Sequence, residues 1–288
     1  MAEIAAPAVL PAAGRKHIVD VLIEERAPRL AASALWPLVR PPLYAVLHYR
    51  LARAMADAIA PMGGAAALEH ISELLSLKLA LHGLEQVPEQ GRLVMVANHP
   101  TGIADGIALY DAVKARRPDI VFYANSDAHR VCPRFEETLI PVEWVEAKRT
   151  RERTRTTLVM TREAMDAQRC LAIFPAGRLA RRGADGLLTD KSWMPTALSV
   201  ATKYAAPVVP VHVDGPWATL FHLFDRVSGE LRDITLFHEL LNKRGRLFTL
   251  TFGRPIPPER LAGDASEVSL ALKTFVERTL PGRPEAVF

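Results

Sequence analysis

Short apolar runs alternate with helical stretches from Gly91 onward, and this alternation restricts the possible folds more than any other feature of the chain. Leu93–Ala97, Ile120–Tyr123, Cys170–Phe174, Val208–Val213 and Leu247–Phe252 contain no Asp, Glu, Lys or Arg. A strand covered on both faces has this unbroken apolar texture, whereas a half-solvated strand alternates. Helical patterns fall between the runs, near Gly106–Ala115, Arg153–Ala167 and Pro195–Tyr204. Together they predict an α/β protein with a mainly parallel central sheet flanked by helices. Leu220–Gly245 reads as a helical insert, and Pro255-Ile256-Pro257-Pro258 breaks the chain before a last helix at Val268–Leu280.

Before the sheet, the texture is different. Residues 1–28 are rich in Ala and Pro and predict a flexible N-terminal arm. Residues 29–82 predict a helical hairpin, with Leu43, Val46, Leu47, Leu51, Met55 and Ile59 mostly on one side and a break at Met62-Gly63-Gly64. Trp36, Pro37, Leu43 and Tyr44 lie beside Arg29, Arg40 and Arg50 in this segment. That makeup suits helices resting on an anionic bilayer, and equally a hairpin packed on the main domain. Residues 83–288 form the expected α/β domain.

Composition narrows the class further. With 49% hydrophobic residues in 288, the chain has material for a substantial core, and disorder is excluded. Cys132 and Cys170 have no ligand-like spacing, so neither a disulfide framework nor a metal site is expected, and a reducing compartment fits. The start, MAEIAAPAVLPAAGRKH, lacks the basic and apolar regions of a signal peptide. The uncharged runs Ile4–Gly14 and Ala31–Val39 fall short of the ~18 apolar residues of a membrane span. Any membrane contact is therefore expected to be peripheral.

Three strand ends carry candidate chemistry. In Val94-Met95-Val96-Ala97-Asn98-His99-Pro100-Thr101-Gly102-Ile103-Ala104-Asp105-Gly106, a histidine follows a buried strand directly. Functional side chains of open α/β sheets collect at carboxyl ends of strands. Asp105, at the start of the next helix, is spaced to orient the imidazole of His99 as a general base, or simply to cap that helix. The second strand end reads Phe174-Pro175-Ala176-Gly177-Arg178, with Arg181 and Arg182 beyond. A backbone N–H at Gly177 is a candidate oxyanion donor, and Arg178 and Arg181 can pair with a phosphate. In the third, Pro207-Val208-Val209-Pro210-Val211-His212-Val213-Asp214, His212 and Asp214 share a face and form a second, weaker couple.

Lys148-Arg149-Thr150-Arg151-Glu152-Arg153-Thr154-Arg155 is a basic run, suited to CoA phosphates, an acidic carrier protein or anionic lipid, or to nothing but solvent. Nucleic acid is not expected, because no aromatic platform accompanies it. GxxxxGK[ST], GxGxxG and GxSxG are absent from the chain.

Taken in order, Asn98-His99-x5-Asp105, Phe174-Pro175-Ala176-Gly177 and Pro207-Val208-Val209-Pro210-Val211 resemble the glycerolphosphate and lysophosphatidic-acid acyltransferase family, in its hemolysin-like branch. The resemblance spans about residues 75–260. It implies acyl transfer from an acyl-CoA or acyl-carrier-protein thioester, a co-substrate rather than a cofactor, to a hydroxyl of a lysophospholipid-like acceptor. It further implies His99 as base, Asp105 as its partner and a peripheral location on the cytoplasmic face of the membrane. Substrate contacts are expected from Asn98, Thr101, Gly102, Arg130, Arg134, Gly177, Arg178 and Arg181. The chain departs from the family in its five-residue His–Asp spacing and in Ala176, which replaces the motif glutamate. That loss keeps a non-catalytic acyl-CoA- or lipid-binding protein of the same fold as the alternative.

Overall fold

A computed structural model describes residues 16–143, 150–182 and 188–288. Its seven-stranded sheet has the order β1-β9-β8-β2-β5-β3-β4. The strands are β1 (Lys78–His82), β2 (Leu93–Ala97), β3 (Val121–Asn125), β4 (Leu139–Val142), β5 (Cys170–Ile173), β8 (Val208–Asp214) and β9 (Leu247–Phe252). A separate two-stranded hairpin pairs β6 (Arg181–Arg182) with β7 (Leu188–Thr189). β8, β2, β5, β3 and β4 are mutually parallel. β9 runs antiparallel to β8, and β1 follows β9 in parallel. The sheet is thus mostly parallel, as the apolar runs predict.

Side-chain alternation along β2 divides the interior in two. Leu93, Met95 and Ala97 enter one apolar cluster, and Val94 and Val96 enter the other. The first cluster is covered by α1 (Ile18–Arg26), α4 (Tyr49–Ile59), α5 (Gly64–Leu75) and α6 (Ile103–Val113), with α2 (Pro28–Ala31) and α3 (Trp36–Val46) outside them. After β3 comes α7 (Asp127–Val131). The second cluster is covered by α8 (Arg151–Asp166), α9 (Thr196–Lys203) and, later in the chain, α13 (Ala265–Thr274). Between β8 and β9 the helical insert appears as α10 (Thr219–Asp225), α11 (Gly229–Asp233) and α12 (Leu236–Leu241).

The structure departs from the sequence reading in three places. Residues 1–15 lie outside the described residues, but the rest of the expected flexible arm is ordered: α1 buries Val19, Leu22 and Ile23. Asp20 on α1 accepts hydrogen bonds from Tyr44 and Tyr49 at 3.0 and 2.7 Å, and the two rings stack with centroids 4.1 Å apart. Burial and the Asp20 charge push the Tyr49 phenol up to about 12. The long first helix of the hairpin is instead two helices, since His48 takes a left-handed conformation (φ 55°) between α3 and α4. β1 and β4, both edge strands, carry no unbroken apolar run. β1 holds Lys78 and His82, and β4 holds Pro141, which an edge strand tolerates.

Candidate active site

The loop after β2 is built around one buried carboxylate. Asp105, fully buried at the third position of α6, accepts from His99 Nδ1 at 2.9 Å, Thr101 N at 2.9 Å and Gly102 N at 3.0 Å through Oδ2. Its Oδ1 accepts from Thr101 Oγ1 at 2.6 Å. The same group therefore caps the helix and holds the imidazole. The loop can close because Gly102 adopts φ 93°, ψ −143°, a region essentially reserved for glycine. A Cβ there would also come within 3.3 Å of Leu179. A carboxylate only accepts, so the hydrogen of His99 sits on Nδ1 and the lone pair on Nε2.

His99 is fixed on its other sides as well. Its ring lies against Phe174, with centroids 4.5 Å apart and an interplanar angle of 31°. Its carbonyl accepts from Ala180 N at 2.9 Å, tying the loop after β5 to the loop after β2. Asn98 uses both ends of its amide on Val213, donating to the carbonyl at 2.9 Å and accepting from the N–H at 2.7 Å. The side chain of His99 remains 17% exposed, so the imidazole meets solvent while the Asp105 carboxylate does not.

Several residues expected to touch substrate have partners within the protein. Asn98 is committed to β8, and Thr101 and Gly102 spend their hydrogens on Asp105. The N–H of Gly177 (φ 60°) donates to Phe174 O at 3.0 Å, closing a turn instead of offering an oxyanion donor. Arg130 makes a two-pronged bond to Glu25 at 2.6 and 2.9 Å, and Arg134 pairs with Glu137 at 2.7 Å beside Gly63. Neither is brought to His99 by these contacts. His212 shares Nδ1 with Val276 O at 3.0 Å and Asp214 is exposed, so the second couple is not assembled.

The arginines after β5 lie nearer the dyad, since Arg181 directly follows Ala180. Arg178 is exposed, Arg181 pairs with Asp225 over the Phe221 ring, and Arg182 stands 4.7 Å from the Trp217 centroid. Trp217 in turn stacks on His222 with centroids 4.0 Å apart. Burial, with Arg181 adding to it, brings the His222 imidazole down to about 4. Of the basic run, Lys148 and Arg149 lie outside the described residues, and Arg153 on α8 pairs with Glu143 at 2.9 Å. Among the described residues, no three His, Cys, Asp or Glu side chains gather to hold a metal ion.

Two elements of the site carry no sequence signal. They are Asp190 and Trp193, in the loop between β7 and α9: Asp190 reaches His99 from 91 residues away, and Trp193 reaches Asp190. Both Asp190 oxygens stand 3.2 Å from His99 N, and Oδ2 also accepts from Trp193 Nε1 at 2.9 Å.

The profile described as "Acyltransferase" matches residues 78–214. The lyso-glycine lipid O-acyltransferase of Phocaeicola vulgatus is 30% identical over 200 residues, covering 66% of this chain and 68% of the relative. The lyso-glycine lipid O-acyltransferase of Bacteroides thetaiotaomicron is 28% identical over 196 residues, covering 66% and 70%. A 1-acyl-sn-glycerophosphate acyltransferase from Thermotoga maritima superposes with a TM-score of 0.48 at 15% identity, over 94% of this chain and 98% of that one.

Proposed function

Because the chain belongs to the acyltransferase family, we propose that it transfers a fatty acyl group from an acyl-CoA or acyl-carrier-protein thioester to a hydroxyl of a lyso-lipid. The observation that carries this reading is the 2.9 Å contact of His99 Nδ1 with buried Asp105 at the carboxyl end of a central strand. His99 Nε2 takes the proton of the acceptor hydroxyl as its oxygen attacks the thioester carbonyl carbon. The tetrahedral intermediate expels the thiolate as the C–S bond breaks. The imidazolium returns its proton to sulfur, leaving an ester and a free thiol. Asp105 stabilises the imidazolium between those two transfers. The acceptor supplies the nucleophile, so no enzyme nucleophile is required.

The names of the relatives point to an acceptor with an amino-acid head group, and Arg178 and Arg182, each two residues from the Ala180 that bonds His99, suit an anionic group on it. The exposed basic face at the start of α8 suits the donor's phosphates or an acidic carrier protein. Contact with the bilayer is assigned to α3, whose Leu38 is 74% and Leu35, just before it, 61% exposed. From Ala27 to Ala56 the chain has four arginines and no Asp or Glu, a composition matched to anionic lipid. No helix among the described residues is long and apolar enough to cross a membrane. The protein then works peripherally, on the cytoplasmic face where the thioester is supplied.

Purified protein incubated with labelled acyl-CoA or acyl-carrier protein and a panel of lyso-lipids tests the assignment. Acylated lipid is expected, and His99→Ala should lower its rate by about 10²–10⁴ while the protein stays folded. Tight thioester binding with no product would replace this reading with a non-catalytic binding protein. Free fatty acid alone would indicate a hydrolase.

A further inference from the structure

The least expected group beside His99 is the carboxylate of Asp190. It is 5% exposed, and its partners are neutral donors: the His99 backbone N–H at 3.2 Å to each oxygen and the Trp193 indole at 2.9 Å. Burying a carboxylate against neutral donors is costly. The surroundings nevertheless fix it there firmly. Asp190 N donates to Glu277 Oε1 at 2.6 Å, while Glu277 Oε2 accepts from Thr189 Oγ1 and Lys273 Nζ, both at 2.7 Å. The ladder runs from the end of α13 through Glu277 and the 189–193 loop to the His99 peptide.

With Asp190 on its N–H, Ala180 on its carbonyl, Asp105 on its ring nitrogen and Phe174 on its ring face, His99 is gripped at four points. Only the two aspartates bring negative charge. We propose that Asp190 is a positioning residue for His99, anchoring its backbone and favouring, through its negative charge, the imidazolium formed during proton transfer. This role rests on the reading of His99 as the general base.

The groups acting on Asp190 are identifiable. Burial raises its pKa to about 6, with Glu277 adding to the rise, whereas the Trp193 bond, the positive form of His99 and the His99 N–H oppose it. Lys273 partly neutralises Glu277. Asp190 therefore ionises just below neutrality, and a charge on His99 promotes that ionisation. Coupling between two sites is reciprocal, so the charge of Asp190 can be tested from the side of His99.

Two measurements test the proposal, Asp190→Asn being close in shape but uncharged. An NMR titration of the His99 ring reads the coupling without any turnover, and the pH dependence of kcat/KM reads it during acyl transfer. In Asp190→Asn the His99 titration and the acid limb of kcat/KM should both move down by about 0.5 pH unit or more. Trp193→Phe, which removes a donor that helps Asp190 ionise, should move them the same way by less, and serves if the first variant does not fold. A lower kcat with an unmoved His99 titration in both variants would make Asp190 purely structural and overturn the proposal. A shifted ring titration in a protein that transfers no acyl group would retain the coupling and remove its catalytic meaning.

Discussion

At Asp105, helix capping and imidazole orientation are one function of one carboxylate, and substitution can separate them. In Asp105→Asn, the amide oxygen can still accept from His99, Thr101 N and Gly102 N, while its NH2 faces the Thr101 hydroxyl. We expect acyl transfer to fall by about 10²–10⁴ with a stability loss of at most about 1 kcal/mol. Asp105→Ala leaves three N–H donors without their acceptor, and each such buried group costs about 1–3 kcal/mol. Denaturant unfolding compared with activity distinguishes the two losses. Gly102→Ala forces a side chain into φ 93° beside Leu179 and should destabilise by about 1–3 kcal/mol, measured as a lower melting temperature. The sequence made His99 and Asp105 legible because they are close along the chain and bracket a glycine. Asp190 was not legible, because its distance to His99 is set by the register of β5, the hairpin and α13 rather than by any local spacing.

At the level of elements, the strands that were readable are those buried on both faces. β2 and β5 are wholly buried, so their apolar runs are unbroken and announce themselves. β1 and β4 sit at the sheet edges, where one flank needs no apolar partner, and their lysine, histidine and proline conceal them. The arginines carry a related ambiguity. A guanidinium drawn as a ligand for phosphate is equally a ligand for carboxylate, and Glu25 and Glu137 were available to Arg130 and Arg134. The insert carries a pH effect of its own. His222 on α10 has its pKa lowered from 6.5 to about 4, so the unfolded chain takes up the proton first. Its contribution to stability is complete above pH 6.5 and is lost as pH falls toward 4. His222→Phe keeps a flat ring against Trp217 and removes the titration. Its stability relative to the wild type should therefore rise across that interval, as measured by urea unfolding at stepped pH.

For the whole molecule, the exposed apolar residues of the N-terminal helices mark a face with a direction. Leu35, Leu38 and Val46 are each more than half exposed, and Arg40 lies among them, with its guanidinium 5.9 Å from the Tyr44 ring. Phosphatidylglycerol vesicles should bind the wild type more tightly than phosphatidylcholine vesicles, and the difference should shrink with added salt. Arg40→Ala combined with Arg53→Ala should weaken vesicle binding by about tenfold or more, at about 1 kcal/mol for each basic residue near the surface. Sedimentation of protein with vesicles reads the effect, and equal binding to both lipids would refute it. The amphipathic pattern of residues 29–82 could not decide between bilayer and domain, because a helix that packs on a core with one side and leaves the other bare satisfies both readings.

The antiparallel step between β8 and β9 has a consequence in time. β1 lies at the border of the sheet, and its only strand neighbour among the described residues is β9, near the far end of the chain. During synthesis, Lys78–His82 must wait for Leu247–Phe252 to emerge before gaining its ladder of hydrogen bonds. The helices before it need not wait, since Glu69 on α5 meets Tyr110 and Lys114 at the end of α6, and Arg26 on α1 meets Asp127 on α7. The sheet is thus completed from its border last, after the N-terminal helices that cover it already have their partners.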